Sequence, residues 1–256
     1  MNELIEKSAE LIANSKNVVA VTGAGISVES GIPDFRSEGG LWSRFPPEEY
    51  ATYEAFLDNP DKAWELFYEI GDTIAKAKPN PAHIALARLE ELGHLVAVIT
   101  QNIDNLHYSA GSKTVVEYHG NAQMLSCTAC WRKRPMSLSH RNHGAPRCEC
   151  GGYMKPDVVL FGEPIPSQAL FMGETLAKSC EIMLVVGTSA QVYPAASLPY
   201  TAKQWGAVII EFNLQRTPFT ESVTDIFIEG PVGQTLPEIL KRVEEIDKQK
   251  QVDNNK

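Results

Sequence analysis

Four short apolar runs, each bounded by glycine or by polar residues, predict buried β-strands along the chain. They are Val18–Val21, Leu95–Thr100, Met183–Gly187 and Val208–Phe212. Apolar residues at helical spacing predict helices over Leu4–Ala13, Pro81–Leu92, Pro199–Trp205 and Leu236–Ile246. Strands that alternate with helices are typical of an α/β fold, in which helices cover both faces of a doubly wound parallel sheet.

Polar loops follow all four predicted strands. The segment Thr22–Ser27 follows the first strand, and Gln101–Asp104 follows the second. Gly187–Ser189 and Asn213 hold the same place after the third and fourth strands. Because ligands of doubly wound sheets bind beyond the carboxyl ends of the strands, we expect these loops to build the binding site.

Two segments interrupt the alternation and predict a second, smaller domain. Residues 37–78 are rich in aromatic side chains and are interpreted as a loop with short helices, whereas residues 120–155 carry four cysteines, basic residues and turns. The larger domain is then discontinuous and comprises residues 1–36, 79–119 and 156–247. The polar residues 248–256 lack apolar periodicity and are expected to form a disordered tail.

Composition narrows the class of protein. The 256 residues are 43% hydrophobic, enough to bury a full core, and carry a formal net charge of −9. This charge argues against a general affinity for nucleic acid or anionic membranes, which reward surplus lysine and arginine. No apolar segment is long enough to span a bilayer, and the first residues do not resemble a secretory signal, so we expect a cytoplasmic protein.

Four of the five cysteines form two close pairs, Cys127 with Cys130 and Cys148 with Cys150. Cytoplasmic chains seldom form disulfide frameworks, and four thiolates in two pairs are the ligand set of a closed, tetrahedral zinc site. We therefore predict one structural zinc ion on these four residues. Cys180 lies apart, just before an apolar run, and is interpreted as a small core residue.

Gly23 and Gly25 follow the first strand as in a dinucleotide-binding turn, where glycine lets the backbone approach a pyrophosphate. A glycine pair alone is equally compatible with a plain tight turn. The third glycine of the usual fingerprint is absent, and no acidic residue ends a second strand at the distance that would hold the adenosine ribose. These departures make an ordinary hydride-transfer enzyme less favoured.

Two histidines are candidates for proton transfer near the predicted loops. His119 follows the segment Val116–Tyr118, and His107 follows Asp104–Leu106. Imidazole exchanges protons near neutral pH, but a histidine after a strand is also often a hydrogen-bonded structural residue. The residues alone leave both readings open.

Seven segments, in their order along the chain, resemble the motifs of sirtuins of the bacterial and archaeal type. They are TGAGIS, SGIPDFRS, ITQNIDNLH, EYHGN, the paired cysteines, KPDVVLFGE and VVGTSAQVYPAA, and the resemblance covers about residues 8–245. Sirtuins are NAD-dependent protein-lysine deacylases that combine a Rossmann-type domain with a small domain made of a zinc module and a helical module. The resemblance thus implies NAD as co-substrate, one structural zinc, and acetyl-lysine proteins bound as extended peptides.

The resemblance also implies which residues bind NAD. Ala24, Gly25 and Ser27 would hold the phosphates, while Phe35 would shield the reactive anomeric carbon from water. The full implied set is Gly23, Ala24, Gly25, Ser27, Asp34, Phe35, Arg36, Gln101, Asn102, Ile103, Asp104, His119, Gly187, Thr188, Ser189, Asn213 and Val232.

The implied catalytic residues are His119, Asn102 and Asp104. By resemblance, His119 is the base that draws a proton from the nicotinamide ribose hydroxyls. Asp104, with the Ile103 backbone, holds the nicotinamide carboxamide, and Asn102 positions water or ribose. The acyl-lysine carbonyl oxygen is the nucleophile, so the implied products are nicotinamide, 2′-O-acyl-ADP-ribose and free lysine.

The implied peptide site lies between two extended segments that pair with the substrate backbone. Its residues are Val159, Phe161, Gly162, Glu163, Val192 and Tyr193. Sirtuins that prefer succinyl or malonyl groups carry a Tyr-x-x-Arg pair in the helical module, and the alignment places Phe67 and Ile70 there. An apolar pair cannot compensate a buried carboxylate, so acetyl and other neutral acyl groups are expected.

Two alternatives belong to other functional classes. Mono-ADP-ribosyl transfer would use the same activated carbon with a different acceptor, and product analysis separates the two reactions. A module that binds NAD or acetyl-lysine without catalysis would use the same pocket. The presence of His119, Asn102 and Asp104 argues against the binding module.

Overall fold

The chain forms two sheets of different kind. The computed structural model describes residues 2–35, 39–138 and 144–254. Its strands are β1 (Val18–Thr22), β2 (Leu95–Thr100), β3 (Val115–Glu117), β4 (Gly120–Cys127), β5 (Lys133–Pro135), β6 (Met154–Val158), β7 (Ile182–Val186), β8 (Val208–Asn213) and β9 (Ile226–Glu229). The large sheet has the order β3-β2-β1-β7-β8-β9 with all neighbours parallel, so the strand order reverses once, between β1 and β7.

Helices cover both faces of the large sheet, and further helices lie in the first inserted segment. They are α1 (Asn2–Asn14), α2 (Pro47–Tyr50), α3 (Tyr53–Asp58), α4 (Pro60–Lys76), α5 (Pro81–Glu91), α6 (Leu106–Ala110), α7 (Ser167–Ser179), α8 (Leu198–Gln204), α9 (Pro218–Ser222) and α10 (Val232–Asn254). Alternate residues of β1 face opposite layers. Val18 and Ala20 pack in the core with α1, α5 and α10, whereas Val19 and Val21 pack in the core with α7, α8 and α9. Burial on both faces explains why β1 and β7 are almost wholly apolar.

The four predicted strands and four predicted helices are confirmed, and their ends agree within two residues in every case but α10. That helix begins at Val232 and continues to Asn254, so the expectation of a disordered tail from residue 248 is wrong as far as Asn254. Its last part is tied to α1, because Lys250 Nζ donates to Ala13 O at 2.7 Å. None of the described helices has both the length and the apolar character needed to cross a membrane.

The two inserted segments share one core. Strands β4, β5 and β6 form an antiparallel sheet in the order β5-β4-β6, against which helices α3 and α4 pack. Trp64 is fully buried between these layers, and its Nε1 donates to Met154 O at 2.9 Å. We call the described residues of 47–76 and 120–158 the small unit. Its aromatic core explains the aromatic composition of the first inserted segment.

Candidate active site and metal centre

The polar loops meet at the carboxyl edge of the large sheet. Residues 23–27 leave β1, residues 101–104 leave β2, His119 lies just beyond β3, and residues 187–189 leave β7. Asn213 ends β8 beside them. This edge includes the place where the strand order reverses, which is where doubly wound sheets bind their ligands.

The glycines of the first loop permit close contact with the loop that leaves β7. A Cβ added to Gly25 would lie 2.7 Å from Gly187 O, and one added to Gly187 would lie 2.5 Å from Ile26 N. The N–H groups of Gly23 and Gly25 donate to Val186 O (3.0 Å) and Gly187 O (2.8 Å). The glycine pair predicts close approach of the backbone to a pyrophosphate, but the N–H groups of these two residues are already used within the protein.

Beyond Gly23 the chain forms a 3-10 helix, Ala24–Ser30, instead of a long α-helix. This geometry explains the missing third glycine, whose usual role is to let an α-helix pack closely on the strand. Among the described residues, the Ala24 N–H has no hydrogen-bond acceptor. One backbone donor of this turn is therefore left for a ligand.

A polar network joins the loops after β1 and β2. Ser27 Oγ donates to Asp104 Oδ2 at 2.6 Å. Asn102 Nδ2 donates to Ser27 Oγ at 3.1 Å and to Gly23 O at 3.0 Å. Burial raises the pKa of Asp104, while hydrogen bonds from Ser27 and from the Leu106 N–H oppose this rise. The network holds an amide and a carboxyl group at fixed positions at the carboxyl edge of the sheet.

His119 has the geometry of a general base. Its Nδ1 lies 3.1 Å from Gln101 O, so the Nδ1–H donates to this carbonyl and Nε2 keeps its lone pair. No hydrogen bond joins Nε2 to another described residue. Burial lowers the pKa of His119, and the hydrogen bond to Gln101 O offsets part of this effect. The imidazole is therefore neutral near pH 7, as a base must be.

His107, the competing histidine, is enclosed in the protein. Its Nε2 lies 2.9 Å from Thr22 Oγ1, which itself donates to Thr100 Oγ1, so His107 Nε2 is the protonated nitrogen. Its Nδ1 is buried without a hydrogen-bond partner. Burial, and then the neighbouring His83, lower the pKa of His107 to about 3. A residue this inaccessible is a poor candidate for proton exchange with a substrate.

His83 lies in the site region, although the sequence patterns assign it no role. Its ring centroid lies 4.9 Å from that of His107, and burial lowers its pKa to about 4. Its Nε2 lies 3.5 Å from Ser27 Oγ. Asn80 caps helix α5 and also donates through Nδ2 to Ile26 O at 2.7 Å, which fixes the start of this helix against the 3-10 helix. Only the position of His83 in the first turn of a predicted helix hinted at this placement.

Thr188 connects three loops on the other side of the edge. Its Oγ1 accepts from Gln101 Nε2 at 3.1 Å, and its carbonyl accepts from Asn213 Nδ2 at 3.0 Å. Ser189 is exposed beside it. Val232, by contrast, is 5% exposed and packs mainly in the core at the start of α10.

An aromatic row links the implied cofactor loop to the implied peptide segment. The ring of Phe35 lies 4.8 Å from that of Trp42, which lies 6.1 Å from that of Phe161. The N–H groups of Leu41 and Trp42 donate to the carbonyls of Asp34 and Phe35, both at 3.0 Å. Arg36 lies outside the described residues. Trp42 was not singled out from the sequence.

The segment after β6 is held on both sides. Val159 N–H donates to His119 O at 2.9 Å, which ties this segment to the candidate base. Phe161 N–H donates to Ala51 O at 3.0 Å, and Phe161 O accepts from Tyr53 N–H at 2.9 Å. The segment thus bridges the large sheet and the small unit.

The remaining implied peptide residues differ in exposure. Gly162 is exposed in a left-handed conformation with φ of +87°, and Tyr193 is 67% exposed. Val192 is partly buried. The carboxylate of Glu163 lies against the Lys155 ammonium, with Oε2 2.9 Å from Nζ.

The four paired cysteines converge in the small unit. Their Sγ atoms all lie within 4.8 Å of one another, with Cys127 to Cys150 at 3.5 Å and Cys130 to Cys148 at 3.7 Å. Sulfurs about 2.3 Å from a tetrahedral zinc are about 3.8 Å apart, so the site fits this ion. A Cβ on Gly152 would lie 2.9 Å from Cys127 Sγ, which explains a glycine there. Cys180 is buried in the core of the large sheet, as predicted.

Comparisons with known proteins agree with this architecture. The Sir2 family model matches residues 23–194. An NAD-dependent protein deacylase of Pyrococcus abyssi is 46% identical over 94% of this chain and 98% of its own length. NAD-dependent protein deacylase 2 of Archaeoglobus fulgidus is 47% identical over 98% of this chain and all of its own length. The chain belongs to the Sir2 family.

Solved structures are similarly close. The complex of a Sir2 homologue with NAD superposes with a TM-score of 0.89 at 41% identity, covering 94% of each chain. The structure of Sir2Af2 bound to a myristoylated histone peptide gives a TM-score of 0.83 at 41% identity, covering 97% of this chain and 100% of the other. Both the cofactor complex and the peptide complex therefore have the fold of this protein.

Proposed function

We propose that the protein is an NAD-dependent protein-lysine deacetylase that removes acetyl and other neutral acyl groups. The products are nicotinamide, 2′-O-acetyl-ADP-ribose and free lysine. The observation that carries the proposal is His119, a largely buried, neutral imidazole oriented by Gln101 O, with Nε2 free of other described residues. The names of the relatives and the NAD complex of a family member support the same activity.

The polar edge offers groups suited to NAD. When bound, NAD supplies an anomeric carbon activated by its bond to a positively charged nicotinamide. Asn102 and Asp104 would hold the carboxamide and ribose, and the Ala24 N–H with Ser27 would meet the phosphates. Thr188, Ser189 and Asn213 would line the adenosine side. Holding the reactants in this alignment contributes much of the rate, because no protein nucleophile is required.

His119 would then accept a proton at Nε2 from a ribose hydroxyl. A general base contributes about 10² to 10⁴ in rate. Its lowered pKa keeps the imidazole unprotonated at neutral pH, and the Gln101 carbonyl stabilises the imidazolium that forms. The hydrogen bond from Val159 N–H to His119 O fixes the position of His119 relative to the peptide-binding segment.

The substrate would lie between the two parts of the molecule. We assign residues 37–78 and 120–155 to the small domain, and residues 1–36, 79–119 and 156–247 to the large one, because each part has its own buried core. An acyl-lysine peptide would enter the cleft between residues 159–163 and residues 191–193 as an added strand. The myristoylated histone peptide bound to Sir2Af2 supports this class of substrate.

The surface of the zinc module does not favour nucleic acid. Of its basic residues, Arg132 pairs with Glu149, and Lys133 pairs with Asp157 at 2.6 Å. These pairs reduce the positive charge available to phosphates. Four thiols that must stay reduced to bind zinc suit the cytoplasm, which remains the predicted location.

The test is mass spectrometry of an acetylated peptide incubated with NAD. We expect deacetylated peptide, nicotinamide and 2′-O-acetyl-ADP-ribose in equal amounts. His119→Ala should lower turnover about 10² to 10⁴-fold with an unchanged melting temperature and zinc content. Tyr118→Phe alters the neighbouring buried residue and should keep near-normal turnover.

Two results would contradict the proposal. ADP-ribose attached to protein, without deacetylated peptide, would indicate ADP-ribosyl transfer. Near-normal turnover by the His119→Ala variant would assign the base to another group.

A further inference from the structure

We propose that Lys155 and Glu163 are positioning residues for the acyl-lysine peptide. Their buried ion pair fixes the turn Leu160–Glu163, and this turn presents one wall of the peptide cleft. The inference rests on the proposed deacetylase function and gives Glu163 a role other than direct contact with the peptide.

Lys155 is an almost fully buried cation near the start of β6, with 8% of its surface exposed. Its ammonium donates to Glu163 Oε2 at 2.9 Å, to Val158 O at 2.6 Å and to Pro156 O at 3.2 Å. Three acceptors satisfy its three N–H donors. A lysine held in this way has no hydrogen left for a ligand, so its function is internal.

Glu163, the last residue of the turn, is hydrogen-bonded to Leu160, the first. Glu163 Oε2 accepts from Leu160 N–H at 2.8 Å, and Glu163 N–H donates to Leu160 O at 3.0 Å. Gly162 occupies the one left-handed position of the turn, with φ of +87°. The same carboxylate oxygen therefore joins the turn to Lys155 and, through it, to β6.

The backbone groups of residues 159–163 that lack an internal partner indicate what this segment binds. Val159 N–H is bound by His119 O, and both backbone groups of Phe161 are bound by Ala51 and Tyr53. Among the described residues, the Val159 carbonyl and the Gly162 N–H have no hydrogen-bond partner. The Gly162 carbonyl likewise has no described partner, so at least two acceptors and one donor remain for a peptide backbone, and their spacing depends on the turn that the ion pair holds.

The pair is energetically asymmetric. Removing one partner of a buried ion pair leaves an uncompensated charge, whereas replacing both by neutral groups often has little cost. Lys155→Met leaves the Glu163 carboxylate buried with only Leu160 N–H as a described donor. Glu163→Gln keeps an acceptor for Leu160 N–H and leaves Lys155 two carbonyl partners, so its effect should be smaller.

The chain offers a matched control on the same small sheet. Lys133 binds Asp157 Oδ2 at 2.6 Å, but these side chains are 58% and 37% exposed. Those of Lys155 and Glu163 are 11% and 18% exposed. An exposed pair contributes little, and this one does not touch the turn. Lys133→Met should therefore leave peptide binding unchanged.

The experiment measures steady-state kinetics of the zinc-loaded protein with an acetylated peptide. We expect Lys155→Met to raise the peptide KM about tenfold or more, because a buried charged partner is lost at the cleft wall. The NAD KM, and kcat at saturating peptide, should change less than about twofold, since the NAD loops are untouched. Glu163→Gln should raise the peptide KM less, and the double variant should recover part of the loss seen with Lys155→Met.

Amide hydrogen exchange gives a readout that does not depend on activity. The segment 158–164 should exchange faster in Lys155→Met than in the wild type or in Lys133→Met. An unchanged peptide KM, or equal rises in the peptide and NAD KM values, would overturn the proposal. If Lys155→Met does not fold, the Glu163→Gln kinetics decide between these outcomes. A wild-type protein that converts no acetylated peptide would instead refute the proposed function itself.

Discussion

The two sheets stabilise their functional residues in different ways. At the carboxyl edge of the large sheet, the loops are fixed by contacts within the protein, as between Gly25 and Gly187 and between Asn102 and Ser27. The small unit has three antiparallel strands, one shared core and four converging cysteines. The large sheet is thus stabilised by burial on both faces, whereas the small unit also relies on a metal ion. The candidate catalytic residues thus belong to the part that should fold without metal, whereas Phe67 and Ile70, the predicted determinants of acyl choice, belong to the part that should need it.

Metal removal should have the largest effect, and it should be confined to the small unit. Structural zinc contributes on the order of 10 kcal/mol in small metal-dependent modules, so Cys127→Ser or strong chelation should unfold this region. Trp64, buried in its core, should report the change by a red shift of its fluorescence. Amides of β1 and β7 should keep slow exchange.

Elemental analysis should find about one zinc ion per chain. Cys180→Ala is the matched control and should retain the metal, because Cys180 lies in the other core. If the metal-free protein had an unchanged melting curve and full activity, the small unit would not depend on metal any more than the large sheet does.

Acyl preference should produce the next largest effect. The ring of Phe67 lies 5.6 Å edge-on from Trp64 and 6.3 Å from Phe56, within the apolar core of the small unit. Tyr68, its neighbour, donates its hydroxyl to Gly144 O at 2.9 Å. A succinyl carboxylate beside Phe67 and Ile70 would be buried without a cation, at a cost of several kcal/mol, or about two to three orders of magnitude in kcat/KM.

The measurement is kcat/KM for one peptide carrying acetyl, a longer neutral acyl or succinyl, at equal NAD. Both neutral groups should exceed succinyl. Phe67→Tyr combined with Ile70→Arg should move the preference toward succinyl. A succinyl value equal to that of acetyl in the wild type would show that the small unit supplies a cation to the acyl group.

Local patterns predicted the parts of the site that depend on neighbours in sequence. Apolar runs located β1, β2, β7 and β8, and thiol spacing located the metal site, because each signal is complete within a short segment. Contacts between distant segments left no such signal. A glycine is needed at position 25 because the backbone of Gly187 lies against it. The pairing of Lys155 with Glu163 forms only when the turn after β6 is folded. Short edge strands such as β3 and β9 have too few residues to show a period.

Alanine substitutions at Gly25 and Gly71 should differ in their effect on stability, because one glycine contacts backbone and the other contacts a side chain. A Cβ on Gly25 would meet the backbone of Gly187 at 2.7 Å, whereas a Cβ on Gly71 would meet the end of the Leu138 side chain at the same distance. Backbone on both sides cannot move aside, so Gly25→Ala should destabilise the protein by about 1–3 kcal/mol and raise the NAD KM. Gly71→Ala lies in α4 and should be neutral or stabilising by up to about 1 kcal/mol.

Urea unfolding of the metal-loaded variants measures both changes. Equal destabilisation by the two substitutions would show that the loop after β1 is no more rigid than the small unit.

Acid should destabilise the large sheet gradually, chiefly through His83 and His107, two buried histidines whose pKa values are strongly lowered. Burial lowers the pKa of His83 to about 4 and that of His107 to about 3, below the value of about 6.5 expected in the unfolded chain. As the pH falls below about 6.5, the unfolded chain therefore binds protons that the folded protein does not. The free energy of unfolding should then fall by up to about 1.4 kcal/mol per pH unit for each histidine, until the folded-state pKa is reached.

Urea titrations between pH 7 and pH 5, with zinc content checked at each pH, measure this slope. His83→Gln should make the slope shallower, since one titrating group is lost while His107 and His119, whose pKa values are also lowered, remain. A slope unaffected by this substitution would assign the acid sensitivity to the metal-dependent small unit instead.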